Sequence, residues 1–146
     1  KNEHSVIGYN YRLQAIQAAV LEVKLQYLDE MNSSRRKLAE RYRANLEGTG
    51  YWTPVERESG EAVYHLFPVG CPDKEKVTKI LDRKEIGWGE HYPIPVHLQP
   101  AFSHLEYGEG SFPVSEELME MSITLPMFPE LELEKVDRVC DVLKDI

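Results

Sequence analysis

Cysteine is scarce in this chain of 146 residues: Cys71 and Cys140 are the only two, and neither belongs to a Cys-x-x-Cys pair. A disulfide framework is excluded, and a reducing compartment is the simpler setting. Long apolar runs are missing as well. The longest, Ala18 to Leu21, has four residues, against about 20 for a helix that crosses a bilayer. The N-terminal residues lack the apolar stretch of a signal peptide, so the expectation is a soluble, cytoplasmic protein. The chain opens on Lys1 rather than methionine, which fits a processed chain or a piece of something longer. Basic charge is in deficit: 17 Lys and Arg against 25 Asp and Glu leave a formal −8. A surface devoted to nucleic-acid phosphates or anionic lipid needs concentrated Lys and Arg, so neither a nucleic-acid polymer nor a membrane is expected as partner. A local basic pocket stays allowed. Also absent are Gly-x-Gly-x-x-Gly, a Walker sequence, Gly-x-Ser-x-Gly and His-Glu-x-x-His, the usual marks of dinucleotide binding, NTP hydrolysis, serine hydrolysis and zincin chemistry.

What is present is the material of one ordinary domain, with 42% hydrophobic and 29% charged residues and neither disorder nor a repeat. Leu13, Ile16, Val20, Val23 and Tyr27 recur at helical spacing, and so do Leu21, Leu25 and Leu28. That apolar surface is wider than one stripe and predicts a helix covered on two sides. Leu38, Tyr42 and Leu46 resume the pattern beyond Asn32-Ser33-Ser34, and Gly48 supplies a stop. The expectation is one long helix bent near Ser33. Alternation over Ala62 to Cys71 predicts a strand, with Pro68 at an edge or bulge. A helix capped at Pro72-Asp73 carries Val77, Ile80 and Leu81 inward and stops at Gly87, and a short strand runs from Trp88 to Tyr92. Residues 93 to 112 form a Pro- and Gly-rich loop. Ser115 caps a short helix to Met121, Ile123 and Leu125 mark a brief strand, and Leu131, Val136, Val139, Cys140 and Leu143 give a closing amphipathic helix. The fold class is α+β: a small antiparallel sheet packed with helices and opened by one long helix.

Three groups carry candidate chemistry. Asn10 and Arg12, in Gly8-Tyr9-Asn10-Tyr11-Arg12, offer amide and guanidinium donors where a helix N-terminus already favours an anion. An N-cap Asn and a solvated Arg explain the same residues. Glu90 to Pro100 mixes prolines that fix the backbone with the polar heads of His91, Tyr92, His97 and Gln99, a composition suited to a preformed binding loop. Its structural alternative is that Tyr92 and His97 tie the loop to the body. A zinc site at His91 and His97 matches no recognised ligand spacing. His65 reads as a satisfied, half-buried strand residue and Trp52 and Trp88 as packing anchors, while Arg35 and Arg36 fit either contact with an acidic partner or a solvated helix face.

Taken in order, these segments resemble the C-terminal part of the DegT/DnrJ/EryC1/StrS family of pyridoxal-phosphate-dependent sugar-nucleotide aminotransferases. The resemblance rests on Gly8-Tyr9-Asn10-Tyr11-Arg12-Leu13, then Ile16-Gln17-Ala18-Ala19. It continues through Leu25, Leu28, Arg35 or Arg36, Tyr42 and Leu46, the loop His91-Tyr92-Pro93 to His97-Leu98-Gln99-Pro100, and Leu125-Pro126-Met127. It implies the C-terminal small domain of a fold-type I aminotransferase, with residues 1–12 a linker and trans-acting loop from a larger domain and residues 13–146 the small domain.

The resemblance also implies roles. In the family an internal lysine holds pyridoxal 5'-phosphate, glutamate donates the amino group, and a nucleotide-linked keto-sugar receives it. Asn10 matches the residue that reaches across a homodimer interface to the cofactor phosphate, Arg12 one that approaches the sugar nucleotide, and His91 and Tyr92 positions at the substrate's nucleotide or diphosphate end. His97 and Gln99 take a supporting role. No lysine here has the Ser-x-x-Lys setting of the family's Schiff-base residue, so none is nominated as catalytic. Dehydratases of the same family, with histidine at the lysine position, and a non-catalytic dimerisation or partner-binding module remain the alternatives. The two-sided helix is then explained by one face on its own domain and another on a large domain or dimer partner.

Overall fold

The computed structural model describes residues 13–146, and its elements follow from three apolar faces that meet on a small sheet. Helix α1 (Ala15–Leu25) is followed after a break at Gln26-Tyr27 by α2 (Leu28–Leu46). Strand β1 (Phe67–Gly70) leads to α3 (Lys74–Arg83), then to two 3-10 turns at Val96–Leu98 and Pro100–Leu105. Helix α4 (Pro113–Met121), strand β2 (Ser122–Leu125) and α5 (Leu133–Lys144) complete the order. The α+β expectation holds: β1 and β2 pair antiparallel with Phe67 opposite Leu125 and Gly70 opposite Ser122. Single bridges, Trp52 to Gly70 and Gly89 to Thr124, extend the sheet on either side.

The core lies where α2, α3 and α5 cover the strands. Helix α2 contributes Leu38, Ala39, Tyr42 and Leu46, α3 Val77 and Leu81, and α5 Val136, Val139, Cys140 and Leu143, all buried against Phe67, Val69, Ile123 and Leu125. Burying each Leu, Val or Phe side chain contributes about 1.5–3 kcal/mol. Tyr42 stacks on Phe67 with ring centroids 4.9 Å apart, and its hydroxyl donates to the Pro126 carbonyl at 3.0 Å. Arg41 grips Asp137 with two hydrogen bonds of 2.6 and 2.8 Å, and Asn45 adds a third of 2.7 Å, fastening α2 to α5.

Several boundaries differ from the expected ones. The long helix breaks at Gln26-Tyr27 and not at Ser33, because Ser and Asn lower helix propensity by only a few tenths of a kcal/mol and tertiary packing overrides that. Gly48 does follow α2, at φ +73°. The first strand begins at Phe67 and not at Ala62, since Tyr64 takes a left-handed φ of 47° that interrupts extension. Tyr64 thereby turns inward onto Phe67, and His65, expected half-buried, is exposed. After Asp73, whose carboxylate accepts from the Lys76 amide at 3.0 Å, α3 runs to Arg83, and Glu85, at φ 55°, turns the chain two residues ahead of the expected stop at Gly87. The strand expected at Trp88 to Tyr92 reduces to the Gly89 bridge, because Pro93 and Pro95 have no amide to donate to a ladder. Helix α4 starts at Pro113, ahead of Ser115, with proline at a first-turn position where its missing N–H is harmless.

Candidate functional site

β2 sets the site. Thr124 is paired through both backbone groups with Gly89, at 2.7 and 3.0 Å, which fixes where the chain leaves the sheet two residues before His91. Next to it, Lys74 at the start of α3 pairs with Glu90 at 2.5 Å and donates to the Met119 carbonyl at 3.2 Å, so α3, α4 and the Glu90 turn are tied at one point. His91 Nδ1 lies 3.0 Å from the Thr124 hydroxyl. Tyr92 stands beside it, edge to face, with ring centroids 5.6 Å apart. Both side chains are exposed, Tyr92 at 65%. His91 lines a groove of about 330 Å³ whose walls include Leu66, Trp88, Gly89, Thr124 and Phe128.

Beyond Pro93 the loop is pinned from the other end. His97 Nε2 meets Glu116 Oε1 at 2.9 Å, and the same carboxylate accepts from the Gly110 amide at 2.7 Å and the Phe112 amide at 3.1 Å. Those amides, first Gly110 and then Phe112, with His97 behind them, hold the Glu116 carboxyl below its ordinary pKa. Phe112 packs edge-on against both His97 and Tyr107. The loop-tying role therefore falls to His97. The Tyr92 hydroxyl has no hydrogen-bond partner among the described residues. Gln99 reaches the Ile94 carbonyl at 3.4 Å, a weak support within the loop.

The sequence-predicted residues divide accordingly. His91 and Tyr92 are brought together on a braced loop. Asn10 and Arg12 lie outside the described residues. His91 and His97 are held by different partners, Thr124 and Glu116, and no group of three His, Cys, Asp or Glu converges as a metal site among the described residues. Arg36 donates to the Ala62 carbonyl at 3.1 Å and pairs with Glu61 at 3.0 Å, so it braces the segment ahead of β1 and is not merely a solvated face. Trp88 packs on the core and donates to Asp82 at 2.8 Å, whereas Trp52 is 42% exposed. Thr124, Glu116 and Lys74 went unnoticed in the sequence. A hydroxyl between Ile123 and Leu125, and a glutamate six residues past Gly110, were the available signals.

Lys74, Lys76, Lys79, Lys135 and Lys144 are each engaged by an ion pair or a hydrogen bond, and Lys24, Lys37 and Lys84 are exposed on helices or at a helix end. None of these lysines is buried. No helix among the described residues is long and apolar enough to cross a membrane.

Fold and site together define a helix-covered α+β domain that presents a braced His-Tyr pair, with His91 at a surface groove. Residues 1–144 match the DegT/DnrJ/EryC1/StrS aminotransferase family, and the chain belongs to it. It is 37% identical to the dTDP-3-amino-3,4,6-trideoxy-alpha-D-glucose transaminase of Streptomyces venezuelae, over 99% of this chain and 38% of that protein. It is also 37% identical to a protein of Geobacillus stearothermophilus named a pleiotropic regulatory protein, over 99% of this chain and 40% of that one. Among solved structures, S. venezuelae DesV in complex with a ketimine intermediate superposes with a TM-score of 0.90 at 37% identity, covering 99% of this chain and 39% of that one. The chain thus spans about 40% of the length of the curated relatives it matches.

Proposed function

We propose that this chain is the C-terminal small domain of a pyridoxal-phosphate-dependent aminotransferase that moves an amino group from glutamate to a nucleotide-linked keto-sugar in the cytoplasm. The observation that carries the reading is the exposed His91-Tyr92 pair, held on a frame braced at Thr124 and Glu116, in a chain that matches the family from end to end. The cofactor, when bound, supplies the electron sink for the transfer. This chain's share is binding and orientation. His91 and Tyr92 offer hydrogen-bonding heads to the nucleotide or diphosphate end of the substrate. Arg12 brings a guanidinium suited to a diphosphate, and Asn10 reaches the cofactor phosphate in the partner's site across a homodimer. The Schiff-base lysine belongs to a larger domain. Residues 1–12 are the linker and trans-acting loop, and residues 13–146 the small domain.

The test uses the full-length protein. Arg12→Glu should raise KM for the nucleotide sugar far more than for glutamate, and equal effects on both would remove Arg12 from the sugar-nucleotide site. Asn10→Ala should weaken cofactor-phosphate retention by about 1.5–3 kcal/mol, the range for hydrogen bonds to charged groups. Unchanged cofactor affinity would take Asn10 out of the site.

A second reading is favoured by one observation: α1 has no buried residue, and its apolar face is open. A dimerisation or partner-binding module would use such a face, and the Geobacillus relative carries a regulatory name. A Ser-x-x-Lys segment encoded ahead of Lys1 supports the enzyme, a histidine at that lysine position supports a dehydratase, and the absence of both supports the module.

A further inference from the structure

Among the described residues, Thr124 is the one polar residue in the buried set, flanked in β2 by the equally buried Ile123 and Leu125. A hydroxyl there is costly unless it is bonded. Its backbone amide and carbonyl are both taken by Gly89. Its hydroxyl has one partner among the described residues, His91 Nδ1 at 3.0 Å. Two arrangements are possible for that contact. If Nδ1 carried the proton and donated to the oxygen, the hydroxyl hydrogen would have no acceptor among the described residues. If the hydroxyl donates to a bare Nδ1, both groups are satisfied, and the ring proton resides on Nε2.

Gly89 supplies an independent restraint. A Cβ at that position would stand 3.1 Å from His91 Cε1 and 3.6 Å from Nδ1, so the Nδ1-Cε1 edge of the ring occupies space that a side chain would fill. Nε2 has no partner among the described residues, and His91 is exposed at the groove.

We propose that Thr124 and Gly89 form a cradle that positions His91, with the Thr124 hydroxyl donating to Nδ1 so that Nε2–H is presented as a hydrogen-bond donor to an oxygen of the bound nucleotide sugar. The inference rests on the reading of His91 as a substrate contact. It gives that contact a polarity: the site recognises an acceptor, as the oxygens of a diphosphate or of a sugar hydroxyl are, and His91 does not receive a proton at Nε2 in this arrangement. Thr124 is a positioning residue, acting through His91.

The experiment is long-range proton–nitrogen NMR on the full-length protein labelled with ring-¹⁵N histidine, with the His91 signals identified by their loss in His91→Gln. The expected pattern is an Nε2–H ring with an unprotonated Nδ1. Thr124→Val, which keeps the strand's β-branched shape, should convert this to a tautomer mixture. It should also raise KM for the nucleotide sugar about fivefold to thirtyfold, the effect of losing one or two ordinary hydrogen-bond increments. The half-reaction with the amino donor and the melting temperature should not change, and Thr124→Ser should restore tautomer and KM together. Gly89→Ala should raise the same KM by displacing the ring with the hydroxyl intact. An Nδ1–H pattern in the parent protein, or a Thr124→Val protein with unchanged tautomer and KM, would overturn the cradle. If instead His91→Gln leaves KM unchanged, the substrate contact is the part overturned, and the spectrum separately decides the tautomer.

Discussion

His97 and Glu116 are joined at 2.9 Å across a loop of prolines and glycines, and the same carboxylate gathers the amides of Gly110 and Phe112. One side chain at the start of α4 thus closes both ends of the segment that follows the His91-Tyr92 pair. Glu116→Ala should release that segment: amide exchange at Gly110 and Phe112 should accelerate while α2, β1 and α5 keep their protection. Uniform exchange across the two proteins would show that the loop is held by other contacts. The pH dependence has a definite sign. The Gly110 and Phe112 amides lower the Glu116 pKa in the folded chain, so its contribution is present above the unfolded value near 4.5 and disappears as pH falls through the lower folded value. Loop protection should therefore persist into mild acid and fail only below the usual carboxylate range.

Asp137 makes a similar argument for the body of the domain. Its carboxyl is lowered to about 2, first by the hydrogen bond from Arg41, then by that from Asn45. The stabilisation is present above the unfolded value of 3.8 and lost as pH falls toward 2. Asp137→Asn should shift the acid-unfolding midpoint to higher pH and flatten the dependence of stability on pH between those values. A parent-like acid transition in circular dichroism would mean that the α2–α5 pair contributes nothing to acid resistance.

The two thiols should be silent in the native protein. Cys71 and Cys140 are buried, and burial pushes both thiols up to about 11. Thiolate is the reactive form, so at pH 8 each cysteine is both hidden and protonated. Ellman's reagent should label neither until denaturant unfolds the domain, after which two equivalents should react. Fast labelling of one cysteine in native buffer would place it at the surface.

Tyr42 tests the core. Its ring stacks on Phe67 and its hydroxyl satisfies the Pro126 carbonyl where the chain leaves β2. Tyr42→Phe keeps the ring and should cost about 1 kcal/mol for the lost hydrogen bond. Tyr42→Ala should cost about 3–5 kcal/mol through the cavity it leaves. Equal losses in denaturant melts would mean that the ring's packing contributes little.

Periodicity carried the sequence reading furthest where burial is one-sided. Val136, Val139, Cys140 and Leu143 are all buried in α5, as their spacing predicts, and the α+β class follows from the same signal. It failed where single residues decide the path of the chain. The left-handed Tyr64 cut short the first strand, and Pro93 and Pro95 reduced the next one to a bridge. At the site, His91 and Tyr92 are visible in sequence as polar heads just ahead of a proline-rich loop. Thr124 and Glu116 are not, because their partners lie 33 and 19 residues away in sequence and no local pattern encodes such pairs.

Helix α1 carries the remaining prediction. Ile16 is 79% exposed and Leu25 68%, with Leu13 just ahead of the helix at 69%, and no residue of the helix is buried. Contiguous apolar surface of this kind marks a contact face. Nothing among the described residues buries the periodic face of α1; in the reading proposed above, a large domain or a second copy does. The 146-residue chain prepared by itself should bind a hydrophobic dye and self-associate. Replacing Ile16 and Val23 together by glutamate should abolish both while leaving the melting temperature unchanged, since neither side chain is part of the core. In the full-length protein of the proposed reading the same pair should weaken dimerisation. If the isolated chain sediments as a monomer without dye binding, α1 folds back onto this domain in solution and the open face is not a docking surface.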